Sequence, residues 1–122
     1  MGHTSERELG RRARHRRIRK KVVGLPHRPR VCVFRSHKHL HAQIVDDMAA
    51  KTLLGSSTQD KRLRASTPKG GGTAAAQALG ALMAEAAQRA GITQLVVDRG
   101  GYRYHGRVKA FVEALRAGGL RV

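Results

Sequence analysis

Acidic residues are scarce in this chain: eight Asp and Glu stand against 25 Lys and Arg in 122 residues, for a formal net charge of +17. Tryptophan is absent, and the aromatics are two Phe and two Tyr. A basic helix lying on a membrane surface needs bulky apolar residues on its opposite side. The basic segment here has no such face. No stretch approaches the roughly 20 apolar residues of a membrane span. The N-terminus lacks the apolar core of a signal peptide, so the expected location is the cytoplasm. A single cysteine, Cys32, excludes an internal disulfide. It lies in an apolar run and is expected to be a buried, inert thiol.

What is abundant is positive charge, and most of it is arginine. Such a field opposes compaction of an isolated chain. It suits a polyanion, because each neutralised phosphate releases condensed counterions. Arginine forks onto phosphate oxygens and stacks on bases, whereas lysine acts as a point charge. Nucleic acid is therefore the partner class that the composition indicates.

The chain divides into a basic arm, residues 1–29, and one folded domain, residues 30–122. In the arm, Ser5-Glu6-Arg7-Glu8 matches a helix capping box. Arg11, Arg12, Arg14, His15, Arg16, Arg17, Arg19, Lys20 and Lys21 follow. On a helix these cations surround nearly the whole circumference. Leu9, Ala13, Ile18, Val22 and Val23 leave only a thin, broken apolar stripe. A helix charged all round packs poorly on a core. The arm is expected to be frayed alone and helical on RNA, with Gly24 and Pro26 ending it.

In the domain, Arg30 to Arg35 reads as a strand, Ser36-His37-Lys38 as a turn, and His39 to Val45 as the returning strand. Leu40, Ala42 and Ile44 share one face of that strand, and His39, His41 and Gln43 the other. Asp46-Asp47 signals a turn, and Thr52 to Ser57 a third strand. Lys61 to Thr73 reads as a loop. Ala74 to Ala90 is a helix whose buried face is expected to hold Ala75, Leu79, Leu82, Met83, Ala86 and Ala90. Gly91 is its cap. The apolar run Ile92 to Val97 suits a central strand covered by helices. Val108, Phe111, Val112 and Leu115 form the stripe of a last helix, which Gly118-Gly119 ends. The predicted class is α/β with an α+β-like layout: an antiparallel three-strand meander extended by a helix–strand–helix unit, with a basic N-terminal helical arm.

Three segments invite a chemical reading. His37, His39 and His41 alternate, as imidazoles binding zinc or assisting phosphoester cleavage could. The rest of such a site is missing, since Asp46 and Asp47 lie at the strand's far end. Base stacking or phosphate contact is the better role. Thr67 to Ala74 invites comparison with a phosphate-binding glycine loop. However, Lys69 precedes the glycines and no hydrophobic strand leads in, so a flexible loop is the simpler reading. Asp98 to Val108 packs two tyrosines, a histidine, three arginines and three glycines between the apolar run and the last helix. Aromatics mixed with Arg on a loop serve unpaired bases and phosphates. The alternative is that Tyr102 and Tyr104 pack under the last helix with only their hydroxyls exposed. No catalytic triad, carboxylate pair or Cys-rich metal spacing emerges, so no enzyme, cofactor, metal or small-molecule substrate is expected.

Two motifs are familiar. Phe34-Arg-Ser-His-Lys-His-Leu-His-Ala-Gln-Ile-Val-Asp-Asp47 resembles the first hairpin of large-subunit ribosomal protein eighteen. Asp98-Arg-Gly-Gly-Tyr-Arg-Tyr-His-Gly-Arg-Val-Lys-Ala110, with Gly118-Gly119-Leu120, resembles that family's C-terminal signature. The family usually has Asn where this chain has His37 and an aromatic, typically Tyr, at His41. The resemblance implies a ribosomal protein that binds 5S rRNA and helps dock it beside 23S rRNA and neighbouring large-subunit proteins. It implies RNA contacts from Arg35, Ser36, Lys38 and His39 in the hairpin, and from Arg99, Tyr102, Tyr104, His105 and Arg107 in the C-terminal loop; His37, which departs from the family, is a candidate RNA contact by its imidazole alone. The arm contributes Arg11, Arg12, Arg14, His15, Arg16, Arg17, Arg19 and Lys20. The competing reading is a general nucleic-acid-coating basic protein, which the arm alone would support.

Overall fold

A computed structural model describes residues 6–19, 22–36, 39–61, 63, 72–100, 102 and 104–122. Helix α1 (Glu6–Arg19) is followed by strands β1 (Arg30–Arg35), β2 (Leu40–Asp46) and β3 (Lys51–Ser57). Helix α2 (Thr73–Arg89), strand β4 (Val96–Asp98) and helix α3 (Gly106–Ala117) complete the chain. The strands form one sheet in the order β3-β2-β1-β4. The first three pair antiparallel, and β4 joins β1 in parallel. The expected α/β class, meander and helix–strand–helix extension all form.

One face of the sheet makes the core. Val31 and Val33 alternate inward from β1, and Leu40, Ala42 and Ile44 from β2. They meet Leu79 and Met83 of α2 and Val108, Phe111, Val112 and Leu115 of α3. A residue period of two on the strands and about 3.6 on the helices puts these side chains in one layer. The helices pack closely because Gly80 of α2 has no side chain. A Cβ there would lie 2.6 Å from both the Ala114 Cβ and the Phe111 carbonyl. After α2, the Ile92 N–H donates to the Ala87 carbonyl and the Gly91 N–H to that of Gln88, the hydrogen bonds of a Schellman ending.

Four expectations are corrected. First, β4 is an edge strand and not a central one. Its apolar run is covered instead by the C-terminal segment: the Leu95 N–H donates to Arg121 at 2.8 Å, and the Arg121 N–H to Thr93 at 3.0 Å. Second, α2 buries Ala75, Leu79 and Met83 as expected, but the rest of its buried face is turned toward α3. Ala76, Gly80, Ala84 and Ala87 are buried, Leu82 and Ala86 are half-buried, and Ala90 is exposed. The close seam at Gly80 sets that rotation. Third, Cys32 is half-buried, because strand alternation points it away from the core that holds Val31 and Val33. Fourth, Leu63, assigned to a loop, is buried in the core cluster. Most of the expected loop lies outside the described residues, as does Ser5 of the capping box. Among the described residues, no helix is long and apolar enough to cross a membrane.

Candidate nucleic-acid interface

The second face of the sheet is built on charge. Asp98 ends β4 beside Cys32 of β1 and is fully buried. A buried carboxylate is stable only with donors around it. The Arg30 guanidinium donates to Oδ2 at 2.9 Å, His15 Nε2 stands 3.0 Å from the same oxygen, and the Gly100 N–H donates to Oδ1 at 2.9 Å. An ionised carboxylate only accepts, so the His15 Nε2–H is the donor. Arg30 also grips Asp47 with two further N–H groups, at 3.0 and 3.1 Å. The Gly24 N–H donates to Asp47 at 2.6 Å. Hydrogen bonding from Arg30 holds the Asp47 carboxyl below its ordinary value.

This anionic pair anchors the arm. Arg11, His15 and Arg19 are spaced four residues apart, so they share one side of α1. Arg11 donates to the Gly100 carbonyl at 2.7 Å. Arg19 reaches to 3.6 Å from Asp47 and 3.9 Å from Asp98. Glu8 accepts from Arg11 at 2.5 Å, and that bond lowers the Glu8 pKa. The helix that looked unable to pack therefore docks through a polar stripe. Its partners, Asp47 and Asp98, are distant in sequence, so no local pattern could reveal them. Arg12, Arg14, Arg16 and Arg17 are exposed. The arm's cations thus divide into a side engaged with the domain and a side turned to solvent.

Arm, hairpin and C-terminal loop meet at Tyr102. The guanidiniums of Arg11 and Arg35 each lie 4.8 Å from its ring centroid, within cation–π range. The Tyr102 hydroxyl donates to the Arg35 carbonyl at 3.4 Å. Gly100 makes this meeting possible. It has φ +63°, and its backbone runs so near the Val33 carbonyl that a Cβ would come within 2.7 Å of that oxygen. The two readings of the tyrosines separate here. Tyr102 is half-buried and packs on the core's edge. Tyr104 is exposed, and its hydroxyl accepts from Arg116 at 3.1 Å. His105 precedes α3 and is exposed, with Arg107 half-buried in the first turn. Arg99 is half-buried.

In the hairpin, Ser36 is exposed and closes the turn, its N–H donating to the His39 carbonyl at 2.9 Å. His39 Nδ1 lies 3.1 Å from the hydroxyl of buried Thr58, which also accepts from the Leu40 N–H. His39 is thereby held by the fold. His37, Lys38 and Lys20, all expected at the interface, lie outside the described residues. Among the described residues, no group of three His, Cys, Asp or Glu could hold a metal ion. Asp98 pairs with an arginine, as its sequence surroundings suggest, although the partner is Arg30 of β1 and not a neighbour in the loop. Sequence reasoning passed over two residues as site members: Arg30, the central cation, and Phe34, whose ring stacks on His41 across the open face. The strand alternation of Phe34 and His41 was the available signal for the last.

A family model described as ribosomal L18 of archaea, bacteria, mitochondria and chloroplast matches residues 5–122. The large ribosomal subunit protein uL18 of Synechococcus elongatus is 53% identical over 116 residues, covering 95% of this chain and 96% of that protein. The same-named protein of Thermotoga petrophila is 52% identical over 107 residues, 88% of each chain. That of Pelotomaculum thermopropionicum is 52% identical over 115 residues, 94% of each.

Proposed function

The chain belongs to this ribosomal L18 family, and on that footing we propose that it is a structural, non-enzymatic constituent of the large ribosomal subunit that binds 5S rRNA. It helps attach that RNA to 23S rRNA, in the cytoplasm, alongside neighbouring subunit proteins. The observation that carries the reading is the meeting of arm, hairpin and C-terminal loop at Tyr102. Three segments far apart in sequence, each rich in cations, become one continuous surface.

The parts of that surface have different work. Arg12, Arg14, Arg16 and Arg17 face solvent and supply phosphate contacts that tolerate any sequence. Arg11, His15 and Arg19 orient the arm on the domain, and the two arginines add charge beneath the RNA. Arg35, Ser36, His39, Arg99, Tyr102, Tyr104, His105 and Arg107 form the part that reads shape, together with His37 and Lys38, while Lys20 belongs with the arm's phosphate contacts. The arm and the domain, divided near residue 29, act as two units of one binding surface.

Competition decides between this reading and a general coating protein. At moderate salt the full chain should bind 5S rRNA in preference to tRNA. Equal affinity for the two RNAs would favour the coating protein and remove the 5S claim.

A further inference from the structure

We propose that the stacked Phe34–His41 pair on the open face of the sheet is a docking site for an unpaired nucleobase of the bound RNA. The inference rests on the RNA-binding reading and adds to it a site away from the phosphate-binding arm. Phe34 and His41 are cross-strand partners in the β1–β2 register. Their rings are nearly parallel, 8° apart, with centroids 5.0 Å from each other. That is the geometry of an offset stack, which a third flat ring can extend. Phe34 is 41% exposed, whereas the chain's other phenylalanine, Phe111, is fully buried.

The surroundings favour a base over a phosphate or a protein side chain. On the β3 side, His41 faces Ser57 and Gln43, two residues on, faces Gly55, so among the described residues the β3 partners beside the rings are small. Burial pushes the His41 pKa down, and nearby His39 adds to this. The imidazole is therefore neutral at pH 7 and offers a flat ring instead of a charge. Charge begins one residue further on, where Arg35 and Arg11 gather at Tyr102. A nucleotide whose base lies on the rings would have cations nearby for its phosphate. Stacking on aromatics is how proteins hold splayed-out RNA bases.

The absence of tryptophan from the chain gives a direct probe. Phe34→Trp adds a single indole at the site, and Met48→Trp adds one at a position 71% exposed in the turn after β2. With 5S rRNA, the first should lose fluorescence by stacking, saturating at one RNA per protein. The second should keep its fluorescence. Phe34→Leu retains apolar bulk without a ring and should weaken 5S binding about 5- to 150-fold, the range for losing one base stack, with the same thermal midpoint and salt slope. Unquenched Phe34→Trp emission in a complex that forms normally would overturn the site. So would a Phe34→Leu variant that binds as wild type, including one that binds normally yet fails to enter subunits, which would assign the rings to a protein neighbour. Each of these outcomes leaves the 5S reading standing, whereas loss of 5S preference in the unaltered chain would fail that reading first.

Discussion

The two faces of the sheet are made from the same strands by opposite means. The covered face is apolar, close-packed and closed by two helices: Val31, Val33, Leu40, Ala42 and Ile44 meet Phe111 and Leu115. The open face carries Arg30, Cys32, Phe34 and His41, with Asp98 at its margin, and the arm docks there through ion pairs. Burial excludes water from the first face and makes it indifferent to salt and pH. The second depends on charges that RNA, salt and acid can all reach. Stability is thus concentrated on one side of the sheet and recognition on the other.

The sharpest way to break that contrast is to compare the two phenylalanines. Phe111→Ala leaves a cavity in the covered face and should cost about 4 kcal/mol in denaturant unfolding. Phe34→Ala should change stability by no more than about 0.5 kcal/mol, as surface changes do. Comparable losses from both would mean that the open face is also a core. Next in size is Asp98→Ala, which leaves Arg30 paired with Asp47 but removes the acceptor shared by Arg30, His15 and the Gly100 N–H. Losing hydrogen bonds to a buried charged group should cost about 2 kcal/mol. It should also speed hydrogen exchange in α1, because His15 loses its anchor. An unchanged exchange rate would show that the arm is held by other contacts.

The smallest effect concerns acid. Asp47 is held below its ordinary carboxylate value of 3.8 by Arg30. Its contribution to stability is complete above about pH 4 and is lost as the pH falls through the lowered value. Wild type should therefore lose more stability between pH 4 and pH 2 than Asp47→Asn does. Parallel curves for the two proteins would remove Asp47 from the clasp.

The covered face was legible in the sequence because burial there is periodic. Leu40, Ala42 and Ile44 alternate along a strand, and Val108, Phe111, Val112 and Leu115 repeat along a helix, so local spacing suffices. Spacing failed where small residues set the geometry. Ala76, Gly80 and Ala84 carry a weak apolar signal, yet the approach of α3 at Gly80 turned α2 toward them. It failed again for the apolar run before Asp98, which is covered by Arg121 and the chain end instead of by neighbouring strands. The open face was half legible. Its cations and aromatics were evident, but not their division. Nothing near Arg11, His15 or Arg19 in sequence shows that they turn inward, since Asp47 and Asp98 lie dozens of residues away. The two tyrosines look alike on paper, and only Tyr102 is drawn beneath two guanidiniums.

The central claim is that the arm's outward arginines supply affinity while the loops choose the target. Affinity for 5S rRNA and for tRNA, measured across salt in two variants, tests it most directly. Replacing Arg12, Arg16 and Arg17 with Gln should reduce the slope of log affinity against log salt by about 2–3, at somewhat under one per lost phosphate contact, and should leave the preference for 5S rRNA intact. Replacing Tyr104 with Ala and Arg107 with Gln should erase that preference while changing the slope by no more than about one. An arm variant that loses the preference, or a loop variant that keeps it, would contradict the account.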